Sequence, residues 1–303
     1  MRFDVTILGC AGATPTIDRL PTCQVVNVNE RNYMIDCGEG AQISILKNGI
    51  KKSRIDVIFI SHLHGDHFFG LIGLLSSMHL ESRKEHLTLV CPQYLKHIIE
   101  VQTIATNFVF CFELIYVFTN SERAELIYEN KDIEVTSFPL LHRIPTTGFV
   151  IREQSKLRKI DVEKAVEYEI PIYFYNQLKA GENYTNKTGL VVDNQLVTVA
   201  GSEARSYAYC SDTKYDESYI NSVANVTLLY HEATFTQTHA ARAVETLHST
   251  ALQAATVAAK ATAKQLLIGH YSAKYKTLDE HLAEAKSVFE NTILSYDGLV
   301  ISL

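Results

Sequence analysis

The chain has 303 residues, 47% of them hydrophobic and 20% charged, with a formal net charge of −6. That length buries a sizeable core in one large domain or two modest ones, and the composition is that of a soluble globular protein rather than a disordered or membrane-spanning one. The negative charge argues against a broadly basic surface that coats nucleic acid, but leaves room for a local basic groove or a site where metal ions supply the positive charge.

The first nine residues read as a strand with no signal peptide ahead of them, and no apolar run approaches the roughly 18 residues of a membrane span. The strand enters a glycine-rich turn, Gly9-Cys10-Ala11-Gly12-Ala13-Thr14-Pro15, which by itself signals only a tight turn. Residues 23–29 and 32–35 form a hairpin that ends at Asp36-Cys37-Gly38-Glu39-Gly40, and a helix covers residues 41–46. At a strand end, Asp36 is either the orienting partner of a metal-bound histidine or an ordinary turn residue.

The apolar run Ile55-Asp56-Val57-Ile58-Phe59-Ile60 stops at Ser61-His62-Leu63-His64-Gly65-Asp66-His67. Three imidazoles and a carboxylate directly after a buried strand are ligands suited to zinc and other borderline metals. His62 and His64, two apart in extended chain, face one ion; Gly65 lets the backbone turn and aim Asp66 and His67 at a second. Residues 68–80 are apolar nearly all round and predict one buried helix. A strand over 87–91, a helix over 92–105 and strands over 113–118 and 133–139 follow. The last of these runs leads to His142, a strand-end histidine like His62. His79, His86, His97, His239 and His281 have no companions at ligand spacing and read as surface or packing residues.

Between Arg152 and Gly189 the character changes. Arg152, Lys156, Arg158, Lys159 and Lys164 outnumber Glu153, Asp161 and Glu163, and Tyr168, Tyr173, Phe174, Tyr175 and Tyr184 follow. Basic residues interleaved with aromatics suit nucleic acid, but a solvated helix with ordinary packing explains the same residues equally well, and Glu167, Glu169 and Glu182 nearly cancel the charge. Regular alternation then resumes: a strand over 207–211 ending in Asp212, a helix around 217–223, and a strand over 226–230 before His231-Glu232-Ala233-Thr234-Phe235. Thr250 and Gln253 have capping-box spacing ahead of an alanine-rich helix. A strand over 265–269 ends in His270, and a helix over 278–289 and a strand over 299–303 close the chain. The expectation is one α/β domain, residues 1–303, with an insertion at about 152–189. The six cysteines, Cys10, Cys23, Cys37, Cys91, Cys111 and Cys210, lack C-x-x-C spacing and suit reduced thiols in a cytoplasmic chain.

Ligands at the ends of several strands assemble into one site. His62, His64 and His142 are assigned to one ion, Asp66, His67 and His270 to the other, with Asp212 bridging.

The stretch from Phe59 to His67 with Phe69-Gly70-Leu71 resembles the second motif of the metallo-β-lactamase superfamily. The stretches Asp36-Cys37-Gly38-Glu39, His231 to Phe235, His248-Ser249-Thr250 and Gly269 to Tyr275 are more specifically similar to the ribonuclease Z family, and the likeness spans nearly the whole length. It implies an αββα sandwich, two zinc ions per subunit (with manganese or another divalent ion as substitutes), a homodimer, precursor tRNA as substrate and the same ligand assignment. It also implies an endoribonuclease that removes the tRNA 3′ trailer by attack of metal-activated hydroxide. Asp66 would orient or deprotonate the water, and His248, positioned by Glu232, would protonate the leaving 3′-oxygen. Ser249, Thr250, Ser272 and Lys274 would hold phosphate. Another two-metal hydrolase on the same fold shares every ligand; the His248–Glu232 pair and the Ser272–Tyr275 stretch favour RNA. The chain departs from the family in three places. Its first loop reads Thr16-Ile17-Asp18-Arg19-Leu20-Pro21 in place of Lys-x-Arg-Asn, its insertion lacks the glycine- and proline-rich arm signature, and Lys274 replaces the usual arginine.

Overall fold

Two seven-stranded sheets carry the computed structural model, which describes residues 2–154, 157–201 and 203–303. Lys156 of the basic stretch lies outside the described residues, as does Met1 of the opening strand. The first sheet takes β1 (Phe3–Gly9), β2 (Cys23–Val28), β3 (Arg31–Ile35), β4 (Ile55–Phe59), β5 (Leu87–Cys91) and β6 (Leu114–Phe118). The second takes β7 (Glu125–Glu129), β8 (Ile133–Leu140), β9 (Thr146–Glu153), β10 (Ser206–Cys210), β11 (Leu228–Glu232), β12 (Gln265–Gly269) and β13 (Thr292–Leu294). The last strand, β14 (Val300–Ser302), returns to the edge of the first sheet. In space the orders are β14-β1-β2-β3-β4-β5-β6 and β13-β12-β11-β10-β9-β8-β7.

The period of two along each strand sorts side chains to opposite faces. Val57 and Phe59 of β4 join the core between the sheets, where Phe59 meets Phe149 of β9 at 5.3 Å between ring centroids. Ile58 and Ile60 point the other way, into a second core shared with Leu74, Leu95 and Ile99. Those three lie on helices that cover the first sheet: α3 (Leu71–Leu80) and α4 (Tyr94–Ala105), following α1 (Ala41–Lys47) and the single turn α2 (Gly65–Phe68).

The helix expected over 68–80 is broken at Phe69-Gly70, because the chain there presses against the turn after β3. A Cβ on Gly70 would come 2.1 Å from the carbonyl oxygen of Gly38, so only glycine permits the approach. The helix expected around 217–223 is a short 3₁₀ turn, Ile220–Val223.

Residues Glu153–Ala204 form a separate compact unit, while Met1–Arg152 and Arg205–Leu303 form the other. The smaller unit holds α5 (Val162–Glu167), α6 (Tyr175–Ala180) and α7 (Asn194–Val197) around a small core of Ala165, Ile170, Leu178, Val192 and Val197. It extends beyond residue 189, where the sequence places the end of the insertion.

In the larger unit, α8 (Ala240–Thr246), α9 (Ala251–Lys260) and α10 (Asp279–Lys286) follow β11 and β12. Ala251, Ala254, Ala255 and Ala258 of α9 are buried at helical spacing, which lets the helix backbone approach the second sheet closely. The layers are therefore helix, sheet, sheet, helix.

Candidate metal centre

The parallel strands β10, β11 and β12 are in register, with Cys210 opposite His231 and Glu232 opposite Gly269. Their ends therefore deliver Asp212, Glu232 and His270 to one edge of the sheet. β4 and β8 end just before His62 and His142. Asp36, Asp212 and His270 have φ of 57°, 49° and 59°, a left-handed conformation that turns the chain sharply and in which Asp and His are enriched among non-glycine residues.

Two groups of donor atoms meet there. In one, His62 Nε2 lies 3.1 Å from His64 Nδ1, and His142 Nε2 lies 3.2 Å from the same atom. Asp212 Oδ2 completes that group at 3.4 Å from His62 and 3.6 Å from His142. In the other, Asp66 Oδ2 is 3.5 Å from His67 Nε2 and 3.4 Å from His270 Nε2. Asp212 Oδ1 is 3.1 Å from His67 Nε2 and 3.0 Å from His270 Nε2. The two oxygens of Asp212 thus face one cluster each, as a bridging carboxylate does.

The residues fit a pair of metal ions. Tetrahedral ligands bonded to zinc at about 2.0–2.1 Å lie roughly 3.3 Å from one another, and the separations above run from 3.0 to 3.6 Å. His67 Nε2 and His270 Nε2 are buried without a hydrogen-bond partner, although Asp212 is near. Their contacts have the distance but not the alignment of hydrogen bonds, which is what ligands of a common ion show.

Each imidazole that turns Nε2 inward has its Nδ1 held from behind. His67 Nδ1 lies 2.7 Å from Asp36 Oδ2, His62 Nδ1 3.0 Å from Ser61 Oγ, His142 Nδ1 3.0 Å from the Leu247 carbonyl, and His270 Nδ1 2.9 Å from Thr234 Oγ1. Where Nδ1 donates its proton to such a partner, the Nε2 lone pair points at the metal position.

The electrostatics are those of a cation site. Burial pushes His62 down to about 4 and also lowers His64 and His142. Burial opposes the charge on His67 and His270 too, but the Asp212 carboxylate outweighs it, raising His67 well above its ordinary value and His270 to about 10. Asp66 and Asp212 stay ionised against the cost of burial, because of His67 for Asp66 and of His270 and His67 for Asp212. A divalent cation would take the place of those shared protons.

Beside the clusters, His248 Nδ1 is 2.8 Å from Glu232 Oε1. Burial lowers the His248 pKa, but Glu232 more than reverses that, and the carboxyl of Glu232 is itself drawn down to about 2 by His248 in spite of full burial. Glu232 also accepts from the amide of Thr213 at 2.9 Å and the hydroxyl of Thr234 at 2.6 Å. His248 lies within ligand range of Asp212 and His270 as well, but its Nδ1 is committed to Glu232.

The four residues expected to hold phosphate separate. Ser272 and Lys274 line the cavity of about 740 Å³ in front of the clusters. Ser249 and Thr250 are fully buried and do not: the Ser249 hydroxyl donates to the Thr213 carbonyl at 2.7 Å, and Thr250 caps α9 in a capping box with Gln253. Their hydroxyls hold the chain behind His248 in position instead.

Three contributors escape the sequence. Thr234 Oγ1 joins Glu232, His248 and His270 within 3.3 Å. Ala13, in the glycine-rich turn, donates its amide to Asp66 Oδ2 at 2.7 Å. Gly12 lies so close to His270 that a Cβ would come 2.7 Å from its ring. Residues 11–12 pair in parallel with residues 271–272, which joins this turn to the chain after His270. The departure of the turn from a bare loop would be visible only as its pairing partner, which no local pattern encodes.

A sandwich of two sheets between helices, with these two ligand clusters at one edge, defines a metallo-β-lactamase-fold hydrolase. Solved structures of that fold agree: the metallo-β-lactamase fold protein YhfI from Bacillus subtilis superposes with a TM-score of 0.69 at 19% identity over 100% of both chains. The short form of human tRNase Z gives 0.71 at 25% identity over 98% of each. A family model described as anti-Pycsar protein Apyc1 matches residues 3–156. Ribonuclease Z of Phocaeicola vulgatus is 42% identical over 100% of this chain and 98% of its own length, and that of Bacteroides fragilis is 43% identical over 100% and 99%. The chain belongs to the ribonuclease Z family.

Proposed function

We propose that this chain removes the 3′ trailer of precursor tRNA, leaving a 3′-hydroxyl on the tRNA and a 5′-phosphate on the trailer, with two zinc ions per subunit. Its full-length likeness to ribonucleases Z supports the reading. The observation that carries it is the His248–Glu232 pair, 2.8 Å apart beside the metal ligands, since a 3′-alkoxide leaves poorly near neutral pH unless a proton is supplied.

His62, His64 and His142 would hold one ion, Asp66, His67 and His270 the other, with Asp212 shared; manganese or another divalent ion would suit the same donors. Bound there, zinc supplies Lewis-acid charge to a phosphoryl oxygen and lowers the pKa of a nearby water. Asp66, fixed by the Ala13 amide, would orient or deprotonate the attacking water. His248, kept protonated by Glu232, gives a proton to the departing 3′-oxygen. Ser272 and Lys274 on the cavity wall bind the phosphate.

The unit Glu153–Ala204 serves as a tRNA-gripping arm in this reading, supported by exposed Lys159, Lys164 and Tyr173 on a separate small core. A homodimer is supported by exposed Val101, Ile104, Val109 and Phe118 on α4, the following loop and the edge strand β6. No helix among the described residues is long and apolar enough to cross a membrane, and a cytoplasmic location accords with the proposed substrate.

The test is cleavage of end-labelled precursor tRNA by wild type and His248→Ala, with zinc assayed in both. A single cut at the 3′ end of the mature tRNA, lost in the variant while two zinc ions remain, supports the assignment. Zinc-loaded wild type that leaves precursor tRNA intact and hydrolyses only small diesters overturns it.

A further inference from the structure

Phe69 is placed where an aromatic ring is costly. Its side chain is 68% exposed at the mouth of the cavity in front of the metal ligands, while its neighbour Phe68 is buried. The ring lies over Gly65 of the histidine motif: a Cβ on Gly65 would come 2.2 Å from Phe69 Cε2. Glycine at 65 therefore leaves room for the ring beside the loop that carries His64 and Asp66. Pro15 and Pro21 continue an apolar lining, and Arg143, Arg242 and Lys274 add cationic groups to the same cavity.

We propose that Phe69 is a stacking platform for the nucleobase next to the scissile phosphate, a substrate-positioning role that rests on the endoribonuclease reading above. Every base offers a π face, so an exposed ring beside a phosphodiester site binds any sequence by stacking while cations hold the backbone. The cavity has this division: apolar groups to receive a base and cationic side chains to receive phosphates. Stacking also covers the exposed ring, removing its apolar face from water when substrate is bound.

The experiment compares wild type, Phe69→Ala, Phe69→Leu and Phe69→Trp, each with zinc content measured. The substrates are a precursor tRNA and two copies of it, abasic at the nucleotide immediately before or after the scissile phosphate. The expected result is a KM for intact RNA raised about tenfold or more in Phe69→Ala, little relieved by leucine and restored by tryptophan. With one of the two abasic RNAs the difference between wild type and Phe69→Ala disappears. Equal KM for wild type and Phe69→Ala overturns the proposal, as does a penalty of the same size on all three RNAs. If the alanine variant loses zinc, the comparison of leucine with tryptophan decides, and equal KM values for those two overturn it. Wild type that cuts none of the RNAs removes the endoribonuclease reading itself, and the proposal with it.

Discussion

Asp36 Oδ2 lies 2.7 Å from His67 Nδ1, and both side chains are fully buried. The same carboxylate accepts from the amide and hydroxyl of Ser61 at 2.8 Å each and from the Tyr209 hydroxyl at 2.6 Å. Asp36 thus anchors the start of the histidine motif to both sheets and holds His67 with Nε2 toward the second metal position. Replacing it by asparagine keeps the shape and removes the charge. Asp36→Asn is expected to weaken zinc binding about 10- to 100-fold, measured by chelator competition on folded protein. Unchanged affinity would mean that the contact orients nothing the metal needs.

The residues of the candidate metal clusters are legible in the sequence because their chemistry is local. Apolar runs that stop at His62, His142, Asp212 and His270 announce strand ends, and parallel register gathers such ends on one edge. Asp36 was legible as one of two alternatives, for the same reason. Gly12, Ala13 and Thr234 were not, since their roles are set by what approaches them from distant segments. β9 opens at Thr146-Thr147-Gly148, and Gly148 suits a strand there because Phe138 packs over it, 2.4 Å from where a Cβ would stand. Ser249 and Thr250 are hydroxyls ahead of a helix, a pattern shared by phosphate sites and caps. The structure uses them for tethering and capping.

Gly12 gives a steric test of the second cluster. An alanine Cβ would lie 2.7 Å from Cε1 and Nδ1 of His270 and 2.9 Å from its carbonyl oxygen, so the ring or the turn must shift. Misplacement of a reacting group by about 1 Å costs on the order of 100-fold in rate. Gly12→Ala is expected to lose about that factor in kcat and to bind its second zinc more weakly, while its unfolding transition remains cooperative. Full activity would show that the turn yields and His270 does not.

His281 supplies a pH dependence outside the ligand set. Its ring is fully buried, edge-on to Tyr271 and Tyr275, with neither nitrogen hydrogen-bonded. Burial pushes its pKa from 6.5 down to about 4, with Glu280 opposing and Arg19 and Lys274 assisting. The unfolded chain therefore binds more protons between those values. The stabilisation is complete above pH 6.5 and is lost as pH falls toward 4, by roughly 3 kcal/mol. Denaturant unfolding of wild type and His281→Phe across pH 4–7.5 should show the gap between them change by about that amount. A gap independent of pH would mean that His281 is protonated equally in both states.

Thr234 links Glu232, which holds His248, to His270. One hydroxyl donates to Glu232 Oε2 at 2.6 Å and receives the Nδ1 proton of His270 at 2.9 Å. Valine fills the same volume and can do neither, leaving a buried imidazole N–H unpaired and a carboxylate short of one donor. Thr234→Val is expected to lower kcat about 10- to 100-fold and to weaken zinc binding, with KM for precursor tRNA little changed because the hydroxyl is already engaged with Glu232 and His270. Serine retains the hydroxyl, so Thr234→Ser should recover most of both losses. If serine is as poor as valine, the methyl group's packing matters rather than the hydrogen bonds, and the link between His270 and Glu232 carries no catalytic weight.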